Sequence, residues 1–262
     1  MRLTMIFLVF ILGSFLMIAG CGGSDDNDND NNNTLPTNPD AVTSENADWL
    51  VSLMAIPGAK DELTQYVIVR YLLTANVPTT DDDVVLMINN VDVALEGYSV
   101  IPGTYMGYVD LNEGTEYAVK FIYNGTTKID TQLKIAYMPS VTFPATFTAN
   151  QAAAISWTQG GNNQYQFIEA LSISPDYTDE SDEVKQLDVS ARSYTFPANS
   201  VESYGSGTLY YLILDQMNFK IENRIALMSY ANDSQEYFPT KDINNRIDLV
   251  TQALKLYRSV NR

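Results

Sequence analysis

Two nine-residue runs in the middle of the chain leave little choice of architecture. In Thr115-Glu-Tyr117-Ala-Val119-Lys-Phe121-Ile-Tyr123 every odd position is bulky and β-favouring, while most even positions are more polar. Asn124-Gly125 follows, and then Ile129-Asp-Thr131-Gln-Leu133-Lys-Ile135-Ala-Tyr137 alternates in the same way. A period of two puts one side of each run on a core and the other in water. Asn-Gly supplies the two positive φ angles of a tight hairpin turn, so the runs are predicted to pair. Short alternating segments between turn residues also occur near 48–56, 63–74, 83–88, 91–96 and 103–110. That spacing is the signature of an all-β sandwich.

Just before the hairpin stands Leu111-Asn-Glu-Gly114-Thr115-Glu116-Tyr117. It resembles the Leu-x-Pro-Gly-Thr-x-Tyr stretch of fibronectin type III and related immunoglobulin-like domains, with Glu113 in place of the proline. The resemblance implies that Tyr117 is a corner residue bonding back to nearby backbone and that Leu111 plugs the core. Near residue 140 the pattern restarts. Ala154-Ile-Ser-Trp157-Thr158 resembles the second strand of fibronectin type III domains, which implies a buried indole at Trp157. Gly207-Thr208-Leu209-Tyr210 then repeats the Gly-Thr-x-Tyr element 93 residues after Gly114, with Tyr210 in the place of Tyr117. The expected fold is all-β, with two tandem immunoglobulin/fibronectin-type-III-like sandwiches over 47–139 and 140–239. Strand Leu209–Leu214 and a partner near 220–230 are expected to close the second.

The start of the chain carries an address. Arg2 is followed by an almost wholly apolar run from Leu3 to Ala19, and then Gly20 and Cys21. A short positive region, an apolar stretch and small residues are the anatomy of a cleaved export signal, here 1–20. An uncleaved membrane-spanning helix is the other reading of the same run, which is just long enough to cross. Ile18-Ala19-Gly20-Cys21 resembles the lipobox of bacterial lipoproteins. The resemblance implies cleavage before Cys21, acylation of its thiol, and a location in the bacterial envelope, at the outer membrane and open to the cell surface. Two or three acyl chains suffice for stable anchoring, at roughly 0.8 kcal/mol per buried CH₂. Residues 21–46, rich in Asp, Asn, Thr and Pro, have no apolar periodicity and are expected to form a disordered tether.

Charge and missing residue types then exclude chemistry. Lys and Arg number 15 against 32 Asp and Glu, and removing residues 1–20 costs one arginine and no acid, leaving a net −18. Phosphate contacts need clustered cations, so no nucleic-acid partner is expected. Cys21 is the sole cysteine and histidine is absent. The exported part therefore holds no disulfide, no thiol nucleophile, no imidazole base and neither of the commonest zinc ligands. No nucleophile-elbow, phosphate-loop or Ser-x-x-Lys motif occurs, so the expectation is a non-enzyme without cofactor.

Three features remain as candidates. Asp176-Tyr-Thr-Asp179-Glu180-Ser-Asp182-Glu183 packs five carboxylates into eight residues. Calcium could take oxygens from Asp176, Asp179, Glu180 and Asp182, but a solvated acidic loop fits better, because the spacing matches no calcium loop. Seventeen tyrosines would suit glycan stacking if several were exposed together; at strand positions they are ordinary packing. In the final segment, 240–262, Ile243, Ile247, Val250, Leu254 and Tyr257 recur at helical spacing, with five basic and two acidic side chains. This predicts a short amphipathic helix, docked on the second domain or gripping a partner, with an added strand as the alternative. The sum is a lipid-anchored envelope protein acting through protein or glycan contact, as adhesin, accessory glycan binder or periplasm-facing assembly factor.

Overall fold

A computed structural model of the chain describes residues 46–55, 64–73, 75–79, 83–99 and 101–237. The expected signal, Cys21, the tether and the C-terminal helix lie outside these residues. Everything described is β-structure and loops, in two compact units: Met1–Met138 with Gly160–Tyr165 and Gln216–Ala231, and Pro139–Gln159 with Gln166–Asp215 and Asn232–Arg262.

The first unit is a two-sheet sandwich. Its strands are β1 (Trp49–Ala55), β2 (Thr64–Tyr71), β3 (Val84–Ile88), β4 (Val91–Val93), β5 (Leu95–Gly97), β6 (Thr104–Asp110), β7 (Glu116–Tyr123) and β8 (Thr126–Lys134). One sheet runs β4-β3-β7-β8, and β1-β2-β6-β5 are successive neighbours in the other. In chain order these are the A-B-E-D and C′-C-F-G layers of an immunoglobulin-type sandwich. Leu53, Val67 and Val69 from one layer meet Leu86, Val119 and Phe121 from the other, all at 0% exposure. Each such side chain contributes roughly 1.5–3 kcal/mol by leaving water. Trp49 anchors the end of this core, its ring centroid 4.9 Å from Tyr71 and 5.0 Å from Phe121.

The predicted β7–β8 hairpin is present, with Asn124 and Gly125 at φ 48° and 69°. The run expected over 91–96 divides at Ala94, because β4 pairs with β3 in one layer and β5 with β6 in the other. The crossing presses the Ala94 carbonyl against Gly107, where a Cβ would clash with it.

The second unit is also a two-sheet sandwich, built from β9 (Ser140–Thr142), β10 (Ala153–Thr158), β11 (Tyr165–Ile173), β12 (Glu180–Gln186), β13 (Ser193–Phe196), β14 (Leu209–Glu222) and β15 (Ile225–Tyr237). One sheet is β13-β10-β9; in the other β12, β11, β14 and β15 are successive neighbours. This is a three-over-four layout, A-B-E against C′-C-F-G. Strand β10 alternates buried and exposed along its length, and its Ile155 and Trp157 face Ile168, Leu212 and Leu214.

The closing hairpin is longer than the sequence suggests. The strands expected at 209–214 and 220–230 extend to 209–222 and 225–237 around a turn at Asn223-Arg224, with φ 50° and 62°. No glycine marks that turn. Arg224 is held there by Asp48, whose carboxylate accepts from Nε at 2.8 Å and whose N–H donates to the Arg224 carbonyl at 2.7 Å. Residues 216–231 belong with the first unit, where Trp49–Met54 pair in parallel with Ile225–Tyr230.

Candidate functional site

Tyr117 is the second residue of β7. Its hydroxyl accepts the Asn112 backbone N–H at 2.9 Å, five residues upstream, and Leu111 beside it is 3% exposed. This is the tyrosine-corner geometry, a lock on the turn into β7. Gly114, at φ +69°, completes that turn.

A buried polar knot follows that the sequence reading passed over, since Gly160-Gly-Asn-Asn163 looked only like a turn. The Tyr137 N–H donates to Asn163 Oδ1 at 2.9 Å, and Asn163 Nδ2 donates to the Tyr137 carbonyl at 3.2 Å and to Gln216 Oε1 at 2.9 Å. Asn218 Nδ2 donates to the Lys134 carbonyl at 3.0 Å, while its Oδ1 accepts the Gln164 N–H at 2.9 Å. Gly161 lets this loop approach the Tyr137 ring, which would lie 2.6 Å from an added Cβ. The amides satisfy backbone groups that no sheet pairs, so the knot reads as scaffold. Its one sequence signal is an Asn next to a Gly pair.

In the second unit, Trp157 is 3% exposed and its Nε1 donates to Gln166 Oε1 at 3.2 Å. Gln166, fully buried, passes the chain on by donating to the Asp188 carbonyl at 3.0 Å. Tyr210, 7% exposed, stands edge-on to Phe147 with centroids 5.6 Å apart, and Tyr237 meets the same ring at 5.9 Å. These three rings, with Thr148, Asn150, Ser203, Ser206 and Thr208, line an open recess of about 360 Å³ that carries no charged side chain. Burial pushes the Tyr237 hydroxyl up to about 12; it donates to the Pro144 carbonyl at 2.9 Å.

The acidic segment does not gather. Asp176 turns back on its own loop, where Oδ1 accepts from Ser174 Oγ at 2.8 Å and Thr178 Oγ1 at 2.9 Å, and those bonds hold its carboxyl below the usual range. Asp179 sits in the same turn and shares Thr178 Oγ1 at 3.0 Å. Glu180 and Asp182 are exposed on β12, paired with Ile173 and Leu171. Among the described residues no three acidic side chains form a group that could hold a metal.

Aromatic exposure is sparse. Both tryptophans are 3% exposed, and the most open tyrosines are Tyr108 at 63% in the first unit and Tyr177 at 47% in the second. Tyr108 packs against Tyr66 at 5.2 Å, and the Tyr66 hydroxyl donates to Met106 Sδ at 2.8 Å. Burial first, then the neighbouring Tyr108 and Tyr98, push the Tyr66 hydroxyl up to about 12.

No protein-family model matches the chain, and no curated protein matches it. Two solved structures align over most of it: the adhesin InvE of Yersinia pseudotuberculosis, and the FN1–FN3 domains of chicken CNTN1. The first is 11% identical, with 74% of this chain and 59% of that one covered and a TM-score of 0.23. The second is 12% identical, with 68% and 62% covered and a TM-score of 0.25. The chain thus spans about three fifths of the length of either.

Proposed function

We propose that the chain is a lipid-anchored envelope protein, tied by an acylated Cys21 at the outer membrane of a bacterium, and that its two sandwiches act as a non-catalytic binding or structural module for a protein partner. The observation that carries this reading is the order of parts. A lipobox-like Ile18-Ala19-Gly20-Cys21 is followed by about 25 residues of Asp/Asn-rich tether and then by two sandwiches. Such a tether holds the first sandwich some 25–30 Å from the lipid, a geometry suited to contact. Labelled palmitate should enter the wild-type protein, and Cys21→Ser should lose both the label and the membrane fraction. Protease should release the domains from intact cells while a periplasmic control survives. A Cys21→Ser protein that stays in the membrane would overturn the anchor, and a protein shielded until the envelope is broken would overturn surface exposure.

A second reading is accessory glycan binding, favoured by the recess at Phe147, Tyr210 and Tyr237 with its neutral hydroxyl and amide rim. With both tryptophans buried, a flat stacking platform is replaced in this reading by a recess for one neutral sugar ring. Titration with neutral oligosaccharides should show binding that Ser206→Trp, plugging the recess, weakens at least tenfold. Absence of binding, or binding indifferent to Ser206→Trp, ends this reading.

A further inference from the structure

Among the described residues, the strands at the sheet edges differ in what protects them. An edge strand presents a row of unpaired N–H and C=O groups, and proteins blunt it by keeping it short or by covering it. β4, β5 and β9 have three residues each and β13 has four. β8 is longer, but within the first unit Asn218 Nδ2 donates to the Lys134 carbonyl and Lys220 Nζ to Thr131 Oγ1. β12, with seven residues at the edge of the second unit's larger sheet, has neither protection. The bond that reaches it from outside the sheet, from the Glu202 N–H to Ser181 Oγ at 3.2 Å, leaves its edge backbone untouched.

The ladder fixes which groups are free. The Leu187 N–H donates to the Gln166 carbonyl at 2.9 Å and the Ser174 N–H to the Asp179 carbonyl at 2.8 Å. Between them the β11–β12 register runs without a shift from Phe167 opposite Gln186 to Ile173 opposite Glu180. Hydrogen-bonded pairs alternate along an antiparallel ladder, so Ser181, Glu183 and Lys185 turn their backbone to β11. Glu180, Asp182, Val184 and Gln186 turn theirs outward, and all four are exposed. Their side chains share the outer face of the sheet, because Ile168 and Ala170, opposite Lys185 and Glu183, belong to the core. Lys185 is drawn to the other side, its Nζ 5.5 Å from the Tyr194 ring. The outer row is therefore two carboxylates, a valine at 54% exposure and an amide, with no cation.

Taking the protein-partner reading as given, we propose that β12 is the docking edge, which the partner joins as an added strand. The joining segment is extended and basic, with lysine or arginine opposite Glu180 and Asp182 and an aliphatic residue opposite Val184. The unpaired backbone groups supply attraction, and the outer row of side chains supplies choice. Opposite charges facing across two strands are favourable, and like charges are not. A second copy of this chain is a poor occupant, since it brings the same acidic edge on a body of net −17.

A fluorescent peptide with blocked ends, Thr-Thr-Val-Thr-Lys-Thr-Lys, matches β12 in antiparallel register and serves as the probe. Titrated with the full chain it should gain anisotropy, and a counterpart with both lysines replaced by glutamate should bind about tenfold more weakly. Val184→Pro removes an outward donor and spares every bond to β11, at a place where edge strands tolerate proline; it should weaken the lysine probe about tenfold. Asp182→Lys, an exposed change, should reverse the preference between the two probes. Absence of binding at about 1 mM probe, binding indifferent to Val184→Pro, or an unchanged preference in Asp182→Lys would each overturn the proposal. So would a full chain that self-associates and loses this in Val184→Pro. Palmitate labelling and protease release do not depend on β12, so the edge and the envelope reading can fail separately.

Discussion

Strands β1 and β10 each run between two neighbouring strands, yet their side chains meet different surroundings. β10 reads buried, exposed, buried, exposed through Ala153–Thr158, whereas β1 is buried at six of its seven positions. The difference is written in composition: Ala-Ala-Ile-Ser-Trp-Thr alternates, and Trp-Leu-Val-Ser-Leu-Met-Ala does not. A strand with one wet face needs polar residues at every second position, and a strand covered on both sides cannot afford them. The first sandwich therefore depends on a second layer of burial that the second, at β10, does without.

Charge is the sharpest way to break that contrast. Ile68→Asp, on the outward face beside β1, should cost about 4 kcal/mol, because it leaves an uncompensated buried carboxylate. Ser156→Asp, on the exposed side of β10, should stay within about 0.5 kcal/mol. Urea midpoints of the two variants check this, and equal shifts would erase the distinction. The tryptophans come next. Trp157→Phe removes the buried bond to Gln166 Oε1 and should cost about 2 kcal/mol, while Trp49→Phe, a change of ring size within an aromatic cluster, should cost about 1 kcal/mol.

The corner residues separate by less. Tyr117→Phe removes the bond from the Asn112 amide and should lose about 1 kcal/mol. Tyr210, whose hydroxyl has no hydrogen bond among the described residues, should lose under about 0.5 kcal/mol as Phe. Last is alkaline pH, where each sandwich holds one tyrosine pushed up to about 12, Tyr66 and Tyr237. A raised folded value means that the folded state keeps a proton the unfolded state gives up. The stabilisation is complete below pH 10 and fades as pH rises from 10 to 12. Absorbance of tyrosinate against pH should show a late-ionising set that includes Tyr66, Tyr237 and the still more strongly raised Tyr211, and Tyr66→Phe should remove one member of it.

Local pattern carried much of this molecule. The β7–β8 hairpin, with its Asn-Gly turn, follows from period-two alternation and positive φ, both readable within twenty residues. Tyr117 and Trp157 were legible for the same reason, because the turn and strand that place them are local. The parallel pairing of β1 with β15 left no mark on either strand beyond the doubled burial of β1. The Asn223-Arg224 turn was hidden because an ion pair with Asp48, 176 residues away, does the work that a glycine usually does. Asn163 and Asn218 act through amide geometry, which no residue spacing reveals. The acidic run misled in the opposite sense: Asp176 spends its oxygens on Ser174 and Thr178, so density of charge did not become convergence.

The parallel pairing also sets a timetable. Trp49 finds Ile225 only after the long stretch of chain between them has been made, so β1 stays without that neighbour until β15 appears. Contacts this distant close slowly, since a long loop must be ordered before any reward is gained. The first sandwich therefore cannot finish itself before β15 has been made.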